Sequence, residues 1–144
     1  DKNRLHLHEW KNYHDLPKPE ELVKNTQTEA GFISELIAVR CCQTKVPFLY
    51  DGTLRNLERN RAFIKLLKKI LPELRICICL VDTDLDTCKE RVKKREDATG
   101  RPVQAEFVVD CNKQAKASAQ ELGKEVELFV SISNGETPAY AELS

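Results

Sequence analysis

Apolar positions recur along this chain with two different spacings. Ala30, Ile33, Ile37 and Cys41, with Leu36 beside them, return every three to four residues and predict a helix from about Thr28 to Cys42. Thr26-Gln27-Thr28-Glu29 ahead of it fits a capping box. Leu57 to Leu71 is the clearest amphipathic segment: Phe63, Ile64, Leu67, Ile70 and Leu71 share one face, Arg59, Arg61, Lys65, Lys68 and Lys69 lie largely on the other, and Pro72 ends it. Thr83 and Asp86 are the expected caps of a helix through about Arg95 that buries Leu85, Cys88 and Val92. Val103, Phe107, Val108, Cys111, Ala115, Ala119 and Leu122 sustain another helical face, which Gly123 is expected to stop.

Three short apolar runs read instead as strands. Val46 to Tyr50 is β-prone, and Gly52 allows a tight exit from it. Arg75 to Asp82 is nearly unbroken in its apolar character, as expected of a central parallel strand covered on both faces. Val126 to Ile132 is the last. Strands alternating with helices imply βαβ crossovers, and so an α/β fold with a mostly parallel sheet and helices on both faces. Lys2 to Asn25, polar and carrying Pro17 and Pro19, reads as a loop with at most one short helix, and residues 135–144 as a loose tail after a domain over 1–134.

Composition narrows the function classes. The 144 residues are one domain in size, and 23 basic against 23 acidic residues give no electrostatic case for a nucleic-acid or membrane partner. The longest apolar run, Ile76 to Val81, falls far short of the roughly 20 residues of a membrane span, and a cytoplasmic location is expected. Of six cysteines, Cys41 and Cys42 are adjacent, while Cys77, Cys79, Cys88 and Cys111 occupy apolar positions and read as buried thiols. With no CxxC, and with His6, His8 and His14 all near the amino terminus, no metal site is predicted. The chain has no methionine and begins at Asp1, which reads as a piece of something longer.

Candidate chemistry gathers at two places. Asp51 and Thr53, after an apolar run, would stand at the carboxyl edge of a sheet, where open α/β sheets bind ligands; Asp-Gly is also a common turn pair. Arg91 and Arg95, one helical turn apart, and Arg101 beyond them offer guanidinium forks to a phosphate, or else form a solvated basic face paired with Glu90, Glu96 and Asp97.

Taken in order, Asp1, Thr28-Glu29-Ala30, Asp51-Gly52-Thr53-Leu54-Arg55, Arg91 with Arg95, and Gly100-Arg101-Pro102-Val103 resemble the zeta-toxin family of P-loop kinases. The resemblance implies a three-layer P-loop kinase-like fold, and an ATP- and Mg2+-dependent transfer of a phosphoryl group to a sugar nucleotide such as UDP-N-acetylglucosamine. It implies that Asp1 is the general base, that Glu29 and Thr53 hold the substrate, that Asp51 and Arg55 shape the strand-end site, and that Arg91 (or Arg95) and Arg101 clamp phosphates. It leaves room for an antitoxin partner. One part of the pattern is missing: the glycines, at 31, 52, 100, 123 and 135, form no GxxxxGK[ST], the loop that cradles nucleotide phosphates in such kinases. These residues alone are therefore expected to show no kinase turnover, to expose apolar edges and to be marginally stable. Two readings compete: a non-catalytic ligand-binding or interaction module built on the same fold, and a P-loop kinase for another small metabolite.

Overall fold

A computed structural model describes residues 7, 19–99, 103–135 and 141–143. Four helices, α1 (Pro19–Thr44), α2 (Leu57–Ile70), α3 (Leu85–Thr99) and α4 (Ala105–Gly123), accompany the strands β1 (Cys77–Asp82), β2 (Leu128–Ser133) and β3 (Ala141–Leu143). β1 and β2 pair in parallel from Cys77 opposite Leu128 to Asp82 opposite Ser133, and β3 adds antiparallel to the far edge of β2. The chain is thus α/β, as the alternation of periods predicts.

α1 starts earlier than its apolar spacing suggests. Proline at its first position has no amide to satisfy, which suits a helix start. The helix therefore runs straight through the expected capping box, and Thr26 is buried in its interior. The face it buries also differs from the expected one. Thr26, Ala30, Ala38 and Cys42 turn inward, whereas Phe32, Leu36 and Ile37 are exposed. Small side chains let α1 approach α2 closely, where Ala38 and Cys42 enclose Leu67 with Phe63, Ile70 and Leu71 around them.

α1 ends in a Schellman motif: the Val46 amide donates to the Cys41 carbonyl at 3.0 Å, the Lys45 amide to that of Cys42 at 3.2 Å, and Lys45 takes φ 54°. This explains why Val46 to Tyr50 does not form the predicted strand. Its first amide is spent on the helix, no described strand lies beside it, and its side chains are exposed. β-propensity without a partner ladder is not enough. The segment is held instead by Tyr50, whose ring lies 5.4 Å from that of Phe63.

α2 matches its predicted bounds closely. The Asn56 side chain caps it by accepting from the Arg59 amide at 3.0 Å, and Lys68 and Lys69 complement its last turn. It lies between two cores. One edge enters the cluster with α1; on the other, Leu57 and Ile64 join Ile78, Ala119, Leu122, Leu80 and Phe129 beneath the sheet.

Among the described residues β1 pairs only with β2. Its side chains alternate as a strand requires: Ile78 and Leu80 face the α4 core, while Cys77, Cys79 and Val81 point the other way and are exposed. Cys77 and Cys79 are therefore not the buried thiols expected.

Asp84, rather than Thr83 or Asp86, caps α3, its carboxylate accepting from the Thr87 amide at 2.8 Å and titrating below the usual range through hydrogen bonds from the Thr87 hydroxyl first and its amide second. α4 does end at Gly123, but the glycine serves close packing: a Cβ there would lie 2.8 Å from the Phe129 ring. The region beyond Asn134 is not all loose, because the open edge of β2 offers backbone groups that Ala141–Leu143 satisfies.

Candidate functional site

At the carboxyl end of β1 the chain forms an open cleft of about 460 Å³. Its walls come from three parts of the sequence: Asp51 to Leu54, the strand end from Cys79 to Thr83, and facing residues of α3 and α4. Four of the residues singled out by sequence, Asp51, Thr53, Arg91 and Arg95, line it together. They come within one cleft although Asp51 follows no strand.

Asp51 to Leu54 is positioned by two attachments, one to the core and one to α4. Leu54 adopts φ 51°, a left-handed conformation that costs a leucine roughly 1–2 kcal/mol. Its side chain is half-buried against the core of Ile78, Ala119 and Leu122, burial that offsets the backbone cost. The buried Ser118 hydroxyl donates to the Arg55 carbonyl at 3.3 Å, anchoring the same segment to α4. Thr53, an exposed residue, is thereby presented at the cleft.

Arg55 is not itself among the lining residues. Its guanidinium donates to Asp110 at 3.0 Å and lies 4.8 Å from the centre of the Phe107 ring, which does line the cleft. Glu29 sits exposed on α1 and is likewise not among them; released from the expected capping box, it has no hydrogen-bond or ion-pair partner among the described residues. Asp1 and the Gly100-Arg101-Pro102 segment lie outside the described residues.

The base of α3 is tied down. The Asn112 side-chain amide donates to the Thr83 carbonyl at 2.7 Å, Cys88 Sγ lies 3.7 Å from that carbonyl, and the Thr83 hydroxyl donates to the Asn134 carbonyl at 3.3 Å. The Asn134 amide in turn donates to the Asp82 carbonyl at 2.8 Å. One cluster thus fixes the ends of β1 and β2, the start of α3 and the middle of α4. Arg91 and Arg95, about 9 and 15 Å along α3 from its first residue, extend from that anchor.

Sequence reasoning missed Asn112 and Lys116. Both line the cleft from α4, and Lys116 forms an ion pair with Asp82 at the end of β1. The signal available was a polar pair four residues apart, bordering the apolar positions 108, 111, 115 and 119. Cys79, Cys88 and Cys111 also reach the cleft; burial raises the Cys111 thiol pKa, so it is not an activated nucleophile. Among the described residues no group of three or more His, Cys, Asp or Glu side chains could hold a metal ion, and no helix is long and apolar enough to cross a membrane.

A parallel strand opening at its carboxyl end onto a cleft walled by an arginine-bearing helix is consistent with an α/β fold of the P-loop kinase-like class. The chain belongs to the zeta toxin family, whose model matches residues 4–142. The match spans the four described helices and all but the end of β3, and Asp1 lies just outside it. No curated protein and no solved structure matches the chain. Family membership makes the chain kinase-like.

Proposed function

We propose that this chain forms the acceptor side and basic wall of a phosphotransferase site that takes a sugar nucleotide such as UDP-N-acetylglucosamine in the cytoplasm. The observation carrying this reading is the convergence of Asp51 and Thr53 with Arg91 and Arg95 on one cleft. The Thr53 hydroxyl can donate to a ligand oxygen, and Asp51 can accept from a sugar hydroxyl or hold a metal-bound water. Arg91 and Arg95 share a helix face and can fork around phosphate oxygens. Glu29, Asp1 and Arg101 enter only through the family resemblance, as substrate-holding, base and phosphate-clamping residues in turn.

ATP with Mg2+ would supply the phosphoryl group in such a reaction. The residues present do not fit the triphosphate: the sequence has no GxxxxGK[ST], and no described acidic cluster is arranged for the ion. No step through ATP is therefore assigned to these residues, and the chain alone is expected to bind an acceptor without turning it over.

Calorimetric titration of the 144-residue chain with UDP-N-acetylglucosamine tests the acceptor assignment. Saturable binding is expected, weakened about tenfold by Arg91→Gln or Thr53→Val, the loss of one good charge-assisted or buried hydrogen bond. Equal or tighter binding of unrelated nucleotides would sink it. Incubation with ATP, Mg2+ and the sugar nucleotide should give no phosphorylated product; product would show that the missing loop is dispensable.

A further inference from the structure

Lys116 lines the same cleft as Arg91 and Arg95 but from a different helix, so two elements bring cations to one space. Its ammonium is held by Asp82, with the two side chains 52% and 33% exposed. An ion pair this open to water is weak, and its carboxylate is a poorer partner for an ammonium than a more highly charged phosphate group would be. Lysine is also the cation suited to exchanging partners, a compact charge with three donors on a flexible stem. Asp82 does not depend on the pair for its place: its backbone is fixed by β2 and by the Asn134 amide.

We propose that Lys116 is a phosphate-contacting residue of this cleft, exchanging the Asp82 carboxylate for the diphosphate of a bound nucleotide. Asp82 is then a built-in competitor that holds the lysine in the empty cleft and sets how tightly an anion binds. The proposal rests on reading the Arg91-lined cleft as a phosphate site. It adds a residue from α4 and a carboxylate that opposes binding.

The test titrates inorganic pyrophosphate into the chain and into Asp82→Asn, Lys116→Gln, the double variant and Arg91→Gln, with thermal melts establishing that each is folded. Asp82→Asn should bind several-fold tighter. Lys116→Gln should bind about tenfold weaker in the parent, and at least as much weaker when added to Asp82→Asn, where the lysine is no longer held back. A lysine that merely neutralises Asp82 gives the opposite pattern: its loss then has no effect once Asp82 is asparagine, and that result overturns the proposal, as does absence of pyrophosphate binding by the parent. Arg91→Gln separates the two claims. If it leaves pyrophosphate affinity unchanged, the phosphate reading of the cleft fails as well; if it weakens binding while Lys116→Gln does not, only the role of Lys116 fails. Parallel titrations with ATP and UDP-N-acetylglucosamine identify whose diphosphate is touched, as the ligand whose affinity carries the Lys116 dependence. Dependence in neither overturns the proposal.

Discussion

The Ser118 hydroxyl, buried in α4, donates across 3.3 Å to the carbonyl of Arg55, sixty-three positions earlier in the chain. That bond joins the segment presenting Thr53 to the helix forming the opposite wall of the cleft. Ser118→Ala leaves the carbonyl without this donor and should cost about 1 kcal/mol of stability. Urea unfolding measures it, and an unchanged midpoint would mean that the bond contributes nothing.

Gly123 permits an approach that no other residue allows. In Gly123→Ala the new methyl meets the Phe129 ring at 2.8 Å. The overpacking cost of about 1–3 kcal/mol should exceed the roughly 1 kcal/mol gained in helix propensity. The variant should therefore melt below the parent, and Phe129→Leu in the same chain should remove most of the penalty. A melt at or above the parental temperature would contradict the packing role.

Lys45 sits at φ 54°, where glycine is the usual residue of a Schellman motif. Lys45→Gly gives up an exposed ion pair with Glu73 at 2.8 Å, which counts for little in water, and relieves the backbone. Its thermal midpoint should rise by about 2–4 °C. A fall would mean that the pair with Glu73 outweighs the backbone cost.

Glu127 accepts from Lys68 and from the Ile76 amide, each at 2.7 Å, and those bonds hold its carboxyl down at about 2 from a reference of 4.5. A depressed folded-state pKa stabilises fully above the unfolded value, and the contribution is lost as pH falls through the folded one. The stability difference between the parent and Glu127→Gln should hold steady above about pH 5 and shrink between pH 4.5 and 2. With the side chain 37% exposed, solvent screening limits it to about 1 kcal/mol. A difference independent of pH in that window would show that the bonds do not favour the ionised form.

Much of this fold is legible from local pattern. α2 is bounded by Asn56 and Pro72 and has one apolar face, so local and tertiary signals agree. Val46 to Tyr50 and α1 are where they diverge. A strand exists only if another strand lies beside it, and neighbours are not written in five apolar residues. On α1, two stripes compete, and the bulkier one lost because Thr26, Ala30, Ala38 and Cys42 allow closer contact with α2. In the site, Asp51, Thr53, Arg91 and Arg95 could be found because their order along the chain resembles a known family's. Asn112 and Lys116 could not, since their significance depends on α4 crossing the end of β1. Arg55 fits the same ordered pattern, yet its partners are Asp110 and Phe107.

Leu54 gives the Asp51–Leu54 segment a mechanical character. Its left-handed backbone relaxes only if its side chain leaves the core shared with Ile78 and Leu122. A ligand that pushed Thr53 aside would therefore have to work against folding free energy rather than against a soft loop. The Asp51–Leu54 wall of the cleft is thus tied to the core by its own backbone conformation.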